Sequence, residues 1–130
     1  MIDAETAFTR ARRRSQLGAL RGGRDPLPVF DAARSVRGRG GVRTIPLEAI
    51  GGTIEPSRAA QFDASFRPIR RALRARWERI WIAEERGIPL PPISVVPVGA
   101  GYAVQDGHHR VSVARARGAL AIDATIDNTY

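Results

Sequence analysis

At 130 residues, 43% apolar and 26% charged, the chain has the size and composition of one soluble domain, long enough to bury roughly two-thirds of the surface its unfolded form exposes. It contains no cysteine, which excludes disulfides, thiolate nucleophiles and Cys-ligated zinc or iron–sulfur chemistry, and no apolar run approaches the roughly 20 residues of a membrane span. The net charge is +8 and all 21 basic residues are arginine; ten of them precede Thr44 against four acids, while eleven against nine follow it. Such asymmetry points to a polyanion such as DNA or RNA, or to a basic face over a phosphorylated ligand. The opening MIDAETAFTR lacks the apolar core of a secretory signal, so the expected compartment is the cytoplasm, with no membrane partner.

Residues 3 to 17 read as a helix with Asp3 as N-cap. Ala4, Ala7, Phe8, Ala11 and Leu17 form a weak apolar face among arginines, which predicts loose packing. After the Gly- and Pro-rich LGALRGGRDPLP, VFDAARSVR suggests a short helix ending in GRGG. That stretch separates a basic, mostly helical N-terminal arm, 1–41, from a core domain, 42–130. A strand is expected at 42–46, then a one-turn helix carrying Leu47 and Ile50, then GGTIEPSR as a turn or loop. Residues 57–66 suit a helix with Phe62 and Phe66 on one face. In RPIRRALRARWERIWIAEERG, Pro68 fits the first turn of a long helix, Ile69, Leu73, Trp77, Ile80 and Trp81 make its stripe, and Gly87 closes it. Both tryptophans are expected in the core rather than as base-stacking platforms. Strands at 93–98 and 102–105 pair antiparallel across GAG, a helix runs from 108 to 117, and ALAIDATI supplies a last strand with Ile122, Ala124 and Ile126. The order predicts an α+β fold: a small mixed β-sheet packed with helices.

The stretch DGHHR, residues 106 to 110, joins a strand to a helix. Gly107 permits backbone angles closed to other residues and leaves the main chain approachable. The first-turn amides of the following helix have no internal partners and carry the positive end of its dipole, which suits a phosphate. Arg110 offers a two-pronged contact to phosphate oxygens, and His108 and His109 start beside it. A structural alternative stands beside each assignment: Asp106 as helix cap, a histidine as a satisfied core residue, Arg110 as surface charge. A zinc site is the weaker alternative, because adjacent imidazoles diverge and a third ligand would have to come from Glu48, Glu55 or Asp123. A Mg²⁺ ion escorting nucleotide phosphates through one carboxylate is more economical.

IPLEAI, a loop with Pro56 and Arg58, a long helix, PPISVVPV, YAVQDGHHRVSVARARG and a closing AIDATI together resemble the ParB N-terminal and sulfiredoxin-like superfamily over about residues 42 to 126. The specific part is Gly107-x-x-Arg110 followed by a helix with small Ala114. The resemblance implies a ParB/sulfiredoxin-like fold with a nucleotide, CTP or ATP/ADP, held at Gly107, His108, His109 and Arg110, with Arg58 arriving from its loop. Sulfiredoxins carry a catalytic cysteine where this chain has His108, so that reductase chemistry is not expected, although His109 and Arg110 match their His-Arg pair. In chromosome-partitioning ParB, a following helix-turn-helix domain reads DNA; none is apparent here, so sequence specificity is expected from a partner protein. A regulatory or DNA-associated module is the leading expectation. DGHHR also looks like the motif of ParB-like free-serine kinases, which would make Asp106 the base or Mg²⁺ contact and Glu48 a second carboxylate. A nuclease using Asp106, Glu48 and a histidine such as His109 around a metal comes third. A homodimer through a sheet edge or the helical arm is open.

Overall fold

In a computed structural model of the chain, which describes residues 2–22, 25–31 and 41–127, the apolar run ISVVPV forms the centre of a sheet. This strand, β3 (Ile93–Val98), is buried at every position but Ser94, because both of its faces are covered. Ile93 and Val95 join the main core, whereas Val96 and Val98 pack with Ala103 against Phe30 and Ile54. A strand buried on both sides reads as continuous rather than alternating apolar sequence.

Around it lie β1 (Gly41–Pro46), β2 (Ile50–Thr53), β4 (Gly101–Asp106) and β5 (Ala121–Ile126), in the order β1-β5-β3-β4-β2. Strands β1 and β5 are antiparallel, β5 and β3 parallel, β3 and β4 antiparallel, and β4 and β2 parallel. Pro46 sits at the strand end, where its missing N–H costs no interior ladder bond. Strand β2 corrects the expectation of a loop at GGTIEPSR: its two glycines hide the alternation that marks a strand. Gly52 is required by close approach, since a Cβ there would overlap the Pro28 carbonyl. That carbonyl accepts from Thr53 N at 2.9 Å, and Phe30 N donates to Thr53 O at 2.8 Å, so residues 28–30 run along β2. The helix expected in VFDAARSVR otherwise falls outside the described residues.

Helix α1 (Ala4–Leu20) starts at Asp3, whose carboxylate accepts from Thr6 N at 2.7 Å, and it runs three residues beyond the expected end. Its packing is tight, not loose. Ala4, Ala7, Phe8, Ala11 and Ser15 are buried, and Phe8 meets Trp77 edge-on with ring centroids 5.6 Å apart. Leu17, expected on that face, is exposed. Alanines at this spacing carry little hydrophobic signal, yet their small size lets α1 sit close to its neighbour.

The helix expected at 57–66 shrinks to one turn, α2 (Pro56–Ala59). Phe62 and Phe66 are fully buried all the same, but from a loop, in which Phe62 bridges to Pro68. The long helix likewise begins later than Pro68, with a 3-10 turn at Arg71–Leu73 leading into α3 (Arg74–Glu85). Gly87 follows it with φ 67. Trp77 and Trp81 are core residues as expected, stacked at 5.6 Å, and the Trp77 indole donates to Ser112 Oγ at 2.8 Å. This bond ties α3 to α4 (His108–Ala116). The result is a mixed α+β fold in which α1, α3 and α4 pack with one face of a five-stranded mixed sheet. Among the described residues, no helix is long and apolar enough to cross a membrane.

Candidate functional site

Strand β4 delivers the chain to Gly107, and α4 begins at the next residue. Gly107 has φ 111, a value disfavoured for residues with a side chain. A Cβ there would also lie 2.5 Å from Ile93 Cγ2. Glycine is therefore demanded twice, by backbone angle and by contact. Being the N-cap, it offers no side-chain acceptor to the first turn of α4, so those amides keep the capacity that such positions have for an external acceptor. Asp106 is not the cap. Its carboxylate is 73% exposed and lies 3.4 Å from Arg110 Nη2.

The two histidines are buried rather than displayed. His108 Nε2 lies 2.7 Å from Thr53 Oγ1, which also accepts from Glu55 N at 2.8 Å and lies 3.2 Å from Val104 O. All three contacts are satisfied together when His108 carries its proton on Nε2 and the hydroxyl donates to Val104 O. Phe62 packs against both imidazoles, near-parallel to His108 and edge-on to His109. Burial, then the charges of Arg58 and His109, push the His108 pKa down to about 4. Burial, then Arg76 and Arg58, do the same to His109. Both imidazoles are neutral at pH 7, so they contribute hydrogen-bonding atoms and no charge. His109 Nδ1 is buried without a partner, a state that native structures rarely leave unexplained.

Arg110 does not stand open to solvent. Its guanidinium donates to the carbonyls of Pro91 and Pro92, the latter at 3.1 Å, and contacts Asp106. It braces the proline lead-in to β3 against the start of α4. The cationic walls come instead from Arg58, as expected, and from Arg76, which the sequence reading missed. Together with Ile80 and residues 106–110 they line a crevice of about 20 Å³, about the room of a single water. Helical spacing was the available signal for Arg76, four residues before Ile80 and three after Leu73.

Glu48 is not brought to this crevice. It is exposed on the 3-10 turn Leu47–Ala49 and lines a different cavity, beside α1 and the second half of α4. Among the described residues no three His, Cys, Asp or Glu side chains converge in a way that could hold a metal ion. On α1, Arg10, Arg13 and Arg14 are exposed, whereas Arg12 is half-buried and donates to Ile69 O at 3.1 Å. Arg24, Arg34, Arg37 and Arg39 lie outside the described residues.

No protein-family model matches the chain, and a search of the curated proteins finds no match.

Proposed function

We propose that the chain is a phosphate-binding domain of the ParB/sulfiredoxin-like kind, taking a nucleotide at the entrance of α4. The observation that carries this reading is the junction of an uncapped, glycine-opened helix start with Arg58, Arg76 and the unpartnered His109 Nδ1. The ligand-free crevice has room for about one water. A phosphate therefore sits at its mouth, between the first-turn amides and the side chains of Arg58 and exposed Arg76. Arg110 holds the turn in shape, and a protonated His109 Nδ1 would donate to a phosphate oxygen. Mg²⁺, where it accompanies the phosphates, has Asp106 as the nearby exposed carboxylate. CTP and ATP or ADP are the nucleotides to compare.

A regulatory or DNA-associated role follows from the same reading, with exposed Arg10, Arg13, Arg14 and Arg21 as contacts to a phosphate backbone. The exposure of Asp106 beside the crevice favours a second reading, a small ATP- or ADP-dependent phosphotransferase. There the carboxylate would steer an acceptor hydroxyl while the arginines stabilise charge on the transferred group. The nuclease reading gains no support from the geometry, since Glu48 lies elsewhere.

Calorimetric titration with CTP, ATP, ADP and GTP, with and without Mg²⁺, tests the proposal. Binding that weakens at least tenfold in Arg58→Ala/Arg76→Ala supports it, in line with the loss of two charge-assisted contacts of roughly 1.5–3 kcal/mol each. Turnover of labelled nucleotide that disappears in Asp106→Asn would select the phosphotransferase. Equal, weak heats for all nucleotides in wild type and variant would refute both.

A further inference from the structure

We propose that the cavity between α1, the 63–67 loop and the second half of α4 is a separate binding site for a small organic acid, a flat apolar body carrying one carboxylate or phosphate. Its volume is about 500 Å³, within the range of about 300–1,000 Å³ typical of small-molecule sites. It shares no lining residue with the crevice at Gly107–Arg110, so it stands independently of the nucleotide site proposed above, although Arg10 and Arg14 are also among the arginines proposed to face a nucleic-acid backbone.

Charge defines the first half of the ligand. Arg10 and Arg14 from α1, Arg67 from the loop and Arg115 from α4 line the space; Glu48 is the single acid among the lining residues, and Asp63 behind them lies 3.9 Å from the Arg67 guanidinium. Arginine forks match carboxylate and phosphate oxygens in geometry as well as sign. The apolar half is defined by Ala7, Ala11, Phe66 and Trp81.

Two unsatisfied donors sharpen the assignment. Trp81 Nε1 and Arg115 Nε are buried with no hydrogen-bond partner, although Trp81 is only 4% exposed. Trp77, stacked on the same ring, has its indole N–H satisfied by Ser112. Trp77 stacks on the Trp81 ring, and the Arg117 guanidinium lies 5.1 Å from the centroid of that ring. Arg115 is fixed by donating to Leu47 O at 3.0 Å and Ile50 O at 3.2 Å, and its guanidinium lies over Phe66. Buried donors are costly to leave unmade, and both residues line this cavity, so a ligand acceptor there is the partner we assign to them once the side chains adjust to bring the buried atoms within reach.

The adjoining wall is held at a cost. Phe66 has φ 60, unusual for a residue with a bulky side chain. Asp63 enforces it by accepting from Ser65 N and Arg67 N, each at 2.9 Å. That loop presents Phe66 and Arg67 to the same space, a fixed apolar wall with a cation at its end.

The test follows the two indole N–H resonances of the full chain by ¹H–¹⁵N NMR during addition of 1-naphthoate, 1-naphthyl phosphate or neutral 1-naphthalenemethanol. Trp81→Phe assigns the signals. The expected result is that at least one anion shifts the Trp81 indole, with the alcohol and Arg10→Ala/Arg14→Ala each weakening binding roughly tenfold or more. The tighter of the two anions identifies the acid group. Ala116→Phe, at an exposed lining position, fills the space and abolishes the shift without touching the crevice at Gly107. A Trp81 resonance unmoved by either anion, equal affinity for the alcohol, or binding that survives both variants would overturn the proposal, whatever nucleotides do at α4.

Discussion

His108 Nε2 and Thr53 Oγ1, 2.7 Å apart, tie the first residue of α4 to the last residue of β2. The two elements are far apart in sequence, and this buried bond fixes the entrance of the helix against the edge strand of the sheet. Thr53→Val keeps the shape and removes the hydroxyl that serves His108, Glu55 N and Val104 O. It is expected to destabilise the domain by about 1–3 kcal/mol in urea denaturation, the usual cost of stranding buried polar partners. A midpoint equal to that of wild type would mean the bond contributes nothing.

Stability should also fall with acidification. Both histidines have folded pKa values of about 4 against an ordinary value near 6.5. The unfolded chain therefore takes up protons first, and stability present above pH 6.5 is lost as the pH drops towards 4. The loss is on the order of 3 kcal/mol per histidine as an upper bound. Denaturation of wild type and His109→Gln at pH 7.5 and 4.5 checks the sign: the variant should show the smaller difference.

Gly107→Ala combines a positive φ with an overlap at Ile93. An expected loss of roughly 1–3 kcal/mol follows from the strained backbone alone, with the overlap adding to it. Thermal melting should show it, and nucleotide affinity should drop in the same variant at temperatures where it remains folded.

Phe8→Ala tests whether the basic first segment belongs to the fold. Phe8 is 2% exposed and packed on Trp77, so removing its ring should cost about 3–5 kcal/mol. A change below about 1 kcal/mol would restore the picture of a loosely attached helix.

The parts of this fold that the sequence announces are those whose signal is local. The apolar run of β3, the capped start of α1 at Asp3 and the strand–glycine–helix passage at Gly107 each carry their own chemistry. What it hid depends on distant partners. Strand β2 is written in glycines because Pro28 lies against it, and Phe62 and Phe66 are core residues without a helix to announce them. At the site, the strand–glycine–helix order located residues 106–110 and the resemblance supplied Arg58, but two roles read differently in the fold. Arg110 is spent on the Pro91 and Pro92 carbonyls, and burial neutralises the histidines. Neither consequence can be read without knowing what packs on top. Glu48 lines another cavity, with residues of α1 and the second half of α4, and is not among those at the start of α4.

If the arginines of α1 and its C-cap contact nucleic acid, the contribution of Arg13 and Arg21, both exposed, should be independent of sequence. Arg13→Ala/Arg21→Ala should weaken binding to unrelated duplexes equally and lower the dependence on salt by about 1 to 2 in logarithmic slope. Anisotropy titrations at two salt concentrations measure this. An unchanged slope rules out that use of the helix.

The central claim is that phosphate oxygens are held at the entrance of α4, and backbone ¹H–¹⁵N NMR of the chain during titration with ATP and CTP tests it most directly. The account predicts saturable shifts at the amides of Gly107, His108, His109 and Arg110, greatly reduced in Arg58→Ala/Arg76→Ala. Shifts confined to the exposed arginines of α1, with those four amides unmoved, would contradict it.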